Sequence, residues 1–246
     1  MDLLPLTTTA DVRAKRPAVA VLPVGSFEQH GPFLPLATDT IVAAAVAGRV
    51  AAAHDVLLLP AVTMSCSHEH AAWPGTVSLS HTTVTAIIGD VVASLAAQGI
   101  EKLAVVNGHG GNYFLGNVVQ TANAARPRSM TLFPSRDDWT RARRSAGLAT
   151  GDHEDMHAGE LEVSILSAVA PSAVRDGASS LDHVADDRRF LLVDGMAAYT
   201  SHGVVGRPSA GTAAKGAAVL GSLVESFAAH LRALGEPLPS PAWERT

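Results

Sequence analysis

Residues 18–24, AVAVLPV, are apolar throughout and stand between Pro17 and Gly25. An unbroken apolar run of this length suits a central strand buried on both faces, an arrangement found in α/β sheets. Pro23 lacks a backbone donor, so the strand is expected to stop early or bulge there. The periodicity downstream supplies partners. A helix is expected over residues 41–53, with Ile41, Val42, Ala45 and Val46 as its packing face. VLLLP (56–60) reads as a second strand, and residues 81–98 form an amphipathic helix with Gly99 closing it. Further strands are expected at 101–106 and 129–133, with a helical segment between them that ends near Pro127. Residues 137–150 read as a solvated helix and loop, and 172–199 lack clear period. A long helix follows whose stripe is Leu220, Leu223, Val224, Phe227, Leu231 and Leu234. The tail, about 236–246, is proline-rich and reads as peripheral.

With 246 residues, 47% of them hydrophobic and 17% charged, the chain is long enough for one large α/β domain or two small ones. A net charge of -5 and a pI near 6.1, with basic residues grouped only at Arg141, Arg143 and Arg144, argue against nucleic acid as a partner. Cys66 is the one cysteine. It permits neither an intrachain disulfide nor a thiolate zinc cluster, so any metal must be held by His, Asp and Glu. The first residues lack a basic start followed by an apolar core, and the most apolar segment is interrupted by Arg49, His54 and Asp55. A cytoplasmic protein without membrane contact is the expectation.

Chemistry-bearing residues gather after the strands. SFEQHGPFLPLATD (26–39) carries Glu28, His30 and Asp39. Residues two apart in extended chain point the same way, so Glu28 and His30 are expected to share one face. Asp39 is placed to cap the following helix with a free oxygen to spare. One imidazole with two carboxylates suits zinc or manganese better than calcium, with iron as a further candidate. The bland alternative is a surface pair and an ordinary cap. MSCSHEHAAWPG (64–75) sets His68, Glu69 and His70 in succession before Trp73. Adjacent side chains diverge, so one of the three is expected to contact substrate or support a ligand, against the alternative of a plain loop.

NGHGGN (107–112) follows a strand and precedes a helix, the layout of a phosphate cradle, yet it has neither GxGxxG nor a P-loop lysine. The other reading directs His109 into a site at the strand's carboxyl end. GDHEDMHAGELEVSILSAVAP (151–171) places His157 at a helix entrance and Glu162 beside the apolar stripe of Leu161, Ile165, Leu166 and Val169. A carboxylate there needs a partner, which a metal would be. Glu160 is expected to face solvent. Arg207 or Lys215, in a glycine-rich segment, is available for an anionic substrate group, and His70, Trp73 and Asn112 are further candidates for substrate contact.

Together SFEQHGPFLPLATD, HEHAAWPGT, NGHGGN and HAGELEVS resemble the creatininase (creatinine amidohydrolase) family, from about Val21 to Lys215. The resemblance implies a single three-layer α/β/α domain over 1–246 with a largely parallel sheet, assembled as a homo-oligomer, commonly a hexamer. It also implies two divalent ions, zinc or manganese, and hydrolysis of an amide carbon–nitrogen bond in a small, sometimes cyclic, molecule. Asp39 would bridge the ions, Glu28 and His109 would hold one, and His30 and Glu162 the other. His157 would carry the proton to the leaving nitrogen. Gly111 stands where true creatininases have a glutamate, and Val163 where threonine is usual, which places the chain outside the true creatininases. The wider family includes formamide hydrolases and the peptidase that trims the mycofactocin precursor. A metal-dependent binding protein without turnover is the non-enzymatic alternative.

Overall fold

The computed structural model describes residues 4–236, so the expected peripheral tail beyond Glu236 lies outside the described residues. Four strands, β1 (Val19–Val24), β2 (Leu57–Leu58), β3 (Lys102–Asn107) and β4 (Met130–Phe133), form one sheet in the order β2-β1-β3-β4, and every pairing is parallel. Around it stand α1 (Thr9–Lys15), α2 (Thr38–Ala53), α3 (His81–Ala96), α4 (Leu115–Ala125), α5 (Arg136–Ser145), α6 (Glu160–Val169), α7 (Leu191–Asp194) and α8 (Ala213–Ala233).

Strand alternation divides the core into two layers. Val19 and Val21 of β1, with Ala104 and Val106 of β3, face the α2, α6 and α8 side, where Val46, Ile165, Leu166, Leu223 and Phe227 are buried. Ala20, Leu22 and Val24, with Leu103 and Val105, face the α3 and α4 side, against Val84, Ile88 and Leu115. This is the three-layer α/β architecture that the family resemblance implies, and it buries β1 on both faces as its apolar run suits. Truncating a side chain buried as fully as Leu223 or Phe227 costs about 2–5 kcal/mol.

Pro23 neither ends nor bulges β1, which continues to Val24 in register with Asn107. The reason lies with its neighbour. The β1–β2 register ends at Val21 and Leu58, with Leu59 donating to the Val21 carbonyl, and the chain pairs with β1 again at Val62, which donates to the Pro23 carbonyl and accepts from the Gly25 amide. The missing proline donor therefore faces a stretch where no ladder bond is formed. The expected exterior character of residues 137–150 also needs correction. Asp138, Ala142 and Arg143 of α5 are buried, and Arg143 Nη1 reaches Asp155 Oδ2 at 2.9 Å.

Topology fixes the site. From β1 the chain first builds β2 on one side and then β3 on the other, so the carboxyl ends of β1 and β3 flank a point where the winding reverses. Ligand sites in open α/β sheets form at such points. The amino end of α2 is drawn into the same place because Gly108 has no side chain. A Cβ there would lie 2.4 Å from the Asp39 backbone oxygen.

Candidate metal centre

Beyond β1, Glu28 and His30 lie in an extended segment held by the Phe27–Val77 bridge and by the Glu28 amide donating to the Leu36 carbonyl at 2.9 Å. Both side chains are fully buried. Asp39 is not the helix cap expected of it. Ala37 is the N-cap of α2 and makes no side-chain cap, whereas Asp39 lies within the first turn, turned inward. Its Oδ2 accepts from Ser26 Oγ at 2.7 Å and lies 2.8 Å from His109 Nδ1, and its Oδ1 lies 3.1 Å from His30 Nε2. Glu162 is placed by α6. Asp155 caps that helix, its carboxylate accepting from the Glu160 and Leu161 amides at 2.6 and 3.0 Å, and the Ala158 amide donates to Glu162 Oε2 at 2.6 Å. Ala158 adopts φ 53, a conformation few non-glycine residues accept, between His157 and the start of α6.

Three histidines share one arrangement. His30 Nδ1 is 3.0 Å from the Glu28 carbonyl, His109 Nε2 2.7 Å from the Cys66 carbonyl, and His157 Nε2 2.6 Å from the Gln29 carbonyl. A carbonyl only accepts, so in each ring that nitrogen carries the hydrogen and the other is directed at the carboxylates. His70 is set the opposite way. Gln29 Oε1 accepts from the Gly31 amide and its Nε2 donates to the Gly203 carbonyl, which fixes the amide so that Nε2 also faces His70 Nδ1 at 3.0 Å. The hydrogen of His70 is thereby assigned to Nε2, 3.2 Å from Glu28 Oε1.

Glu28 is the centre of this cluster. Its oxygens lie 3.2 Å from His70 and 3.3 Å from His109, yet neither has a hydrogen-bond partner. A buried carboxylate left so costs several kcal/mol without a compensating charge. The side chains form three groups whose ligand atoms lie within 4.8 Å of one another: Glu28, Asp39 and His109; His30, Asp39 and Glu162; and Glu28, His30 and His157. Imidazole nitrogens and carboxylate oxygens without thiolate fit zinc or manganese.

The protonation states carry the same imbalance. Burial pushes the Glu28 and Glu162 carboxyls up to about 7 each, His109 and His30 respectively opposing it. Burial works against charge on His30 and His109, but neighbouring carboxylates outweigh it and lift them to about 10 and about 9. Asp39 is held well below the usual carboxylate range, because His30 and His109 overcome its burial. Burial, reinforced by nearby histidines, drives His157 well below the ordinary imidazole value and His70 down to about 3.

A cleft of about 890 Å³ opens on the cluster, lined by Glu28, Asp39, His70, His109, His157 and Glu162 together with Tyr113, Arg136, Trp139 and Leu161. The structure thus brings together all five expected ligands, His157 and His70. Trp73, Asn112 and Arg207 do not line the cleft. Asn112 donates to Asn107 Oδ1 at 3.0 Å within the glycine turn, and Arg207 Nε pairs with Glu154 at 2.8 Å. Lys215 pairs with Glu160, which is fully buried and not solvated, because it accepts from Ala149, Thr150 and Lys215. The orienting roles of Ser26, Gln29 and the Cys66 carbonyl had no sequence signal, since ordinary polar and backbone groups perform them.

The sequence matches the family described as Creatininase: Creatinine amidohydrolase over residues 6–231. The chain belongs to the creatininase family. It is 32% identical over 236 residues to the mycofactocin precursor peptide peptidase of Mycolicibacterium smegmatis, covering 92% of this chain and 89% of that protein. Among solved structures, a mutant creatininase complexed with creatine superposes with a TM-score of 0.79 at 23% identity, covering 93% of this chain and 97% of the other. A mutant creatininase of Zn-Zn type superposes with a TM-score of 0.75 at 24% identity, covering 91% and 92%. This family member is a metal-dependent hydrolase acting on carbon–nitrogen bonds. No helix among its described residues is long and apolar enough to cross a membrane.

Proposed function

We propose that the chain is a dinuclear amidohydrolase whose substrate is a peptide or similarly extended amide. The observation that carries the reading is the buried Glu28 carboxylate, whose oxygens have no hydrogen-bond partner, at the meeting point of the ligand groups. Glu28, His30 and Asp39 each belong to two of those groups, and Asp39, with Oδ2 toward His109 and Oδ1 toward His30, is the side chain suited to bridge two ions. Zinc or manganese bound there supplies a Lewis acid and an acidified water near neutral pH.

The protein's own groups do the rest. His30, Asp39, His109 and Glu162 present their lone pairs in fixed directions because carbonyls, Ser26 and the Ala158 amide hold them, and Glu28 completes the set from its fully buried position. His157 is neutral, with its Nδ1 directed toward Glu28 Oε1 at 3.8 Å. It takes a proton from the attacking water and passes it to the departing nitrogen, leaving a carboxylic acid and an amine. His70 Nε2 stands 3.2 Å from Glu28 Oε1 on the same side of the cluster. A homo-oligomer is part of this proposal, read by light scattering.

Two features favour an extended amide over a small cyclic one. The similarity to the mycofactocin peptidase runs over most of both chains, and a second cavity adjoins the cleft, sharing Glu69 and Tyr113 with it. Incubating the zinc-loaded protein with short peptides, formamides and creatinine, with products read by mass spectrometry, tests the choice. Cleavage of peptides supports it, and turnover of creatinine or a formamide alone contradicts it.

A further inference from the structure

Glu69 lies between two histidines that are both engaged. His68 Nδ1 lies 3.2 Å from Ser78 Oγ, and His70 lies against Gln29 and Glu28. Among the described residues, the Glu69 carboxylate has no ion pair and no hydrogen bond, although it is half-buried. It joins none of the groups of candidate ligands. Its place is nevertheless specific. A Cβ built on Gly111 would meet Glu69 Oε1 at 2.2 Å and His109 Nε2 at 2.4 Å, so the carboxylate fills the side-chain space that glycine leaves beside a candidate ligand.

That position lies on a boundary. Glu69, Gly111, Tyr113 and Leu191 line both the cleft over the candidate ligands and a neighbouring cavity of about 510 Å³. One wall of the second cavity is Phe114, Leu191, Leu192, Val193 and Ala72, and His68, His81 and Asp194 also line it. Beside the cluster, therefore, stands a carboxylate without an ion pair, and beyond it a cavity with an apolar wall. A cation on an apolar group complements both at once.

We propose that Glu69 and this cavity form the subsite for the amine portion of the substrate: the carboxylate accepts hydrogen bonds from its N–H or ammonium group, and Phe114, Leu191 and Val193 cover its apolar substituent. The assignment rests on the reading of the cleft as an amide-hydrolase site and adds the substrate class, amides whose nitrogen carries an aliphatic or aromatic substituent. Gly111 is then glycine because a side chain there would displace the carboxylate that reads the amine.

The test uses binding, not turnover. Zinc-loaded protein is titrated calorimetrically with isoamylamine at pH 6.5, where the amine is protonated and cannot ligate metal, and with isoamyl alcohol, its uncharged counterpart. Wild type should bind the ammonium at least tenfold more tightly than the alcohol. Glu69→Gln should remove that preference while zinc per chain stays unchanged, and Val193→Ala should weaken both probes together. Equal binding of the two probes by wild type, an unchanged preference in Glu69→Gln, or loss of zinc from Glu69→Gln would overturn the proposal. Failure of every amide in the turnover panel would count against the hydrolase reading, and the titration would still report on the subsite.

Discussion

Asp39 Oδ2 lies 2.8 Å from His109 Nδ1, joining the first turn of α2 to the glycine turn after β3. His109 Nε2 is occupied by the Cys66 carbonyl, so Nδ1 is the nitrogen left to face a cation. With its other oxygen directed at His30, Asp39 is common to both halves of the cluster. Asp39→Ala should therefore lose both ions, and turnover with them. Elemental analysis of the purified variant checks this; retention of two ions per chain contradicts the bridging role.

His157 should behave differently. Its Nε2 is tied to the Gln29 carbonyl and its ring lies 4.1 Å from that of His30 and 4.4 Å from that of His70. Because His157 also belongs to one ligand group, metal content separates its two readings. As the proton carrier, His157→Ala should lower turnover by about 10²–10⁴-fold with metal content unchanged. Loss of metal in parallel with activity would make it a ligand instead.

Metal affinity should depend on pH. Burial raises Glu28 and Glu162 to about 7, and the carboxylates lift His30 and His109 to about 10 and about 9, so in the metal-free protein the two imidazoles hold their protons already above neutrality and the two glutamates take theirs up as pH falls through it. An incoming cation must displace them. Zinc affinity should weaken at least tenfold between pH 8 and pH 6, with proton release on binding, read by calorimetry in buffers of different ionisation enthalpy. A flat profile contradicts this account of the cluster.

Away from the site, Asp138 links α5 to α8. It forms the capping box with Ser135, and its Oδ2 lies 2.9 Å from His230 Nε2. Although burial opposes it, Ser135 and His230 depress the Asp138 pKa. A carboxyl lowered by folding stabilises above its unfolded value, about 4, and that contribution fades as pH falls through the depressed folded value. Asp138→Asn should cost about 1–2 kcal/mol at pH 7, with the gap from wild type narrowing below about pH 4. Urea denaturation at both pH values measures it, and a gap that grows on acidification contradicts the sign.

What the sequence made legible divides along physical lines. The buried strands and long helices were readable because solvent exclusion imposes periods of two and 3.6 on the chain. The ligand residues stood out because His, Asp and Glu beside strand ends have few other reasons to cluster. Asp39 was misread as a cap because its proximity to Gly108 depends on how β3 and α2 approach one another. Glu160 was misread as solvated because its partners, Thr150 and Lys215, lie in other segments. The use of Glu69 in the space left by Gly111 is likewise a relation between distant segments, invisible to local spacing.

A pair of bound ions is the central requirement of the proposed site. Elemental analysis of protein saturated with zinc or manganese, with peptide turnover followed through chelation and metal add-back, tests it most directly. Two ions per chain, with turnover lost on chelation and restored by the same metal, is the predicted result. One ion per chain at saturation, or peptide hydrolysis that survives complete removal of metal, would contradict it.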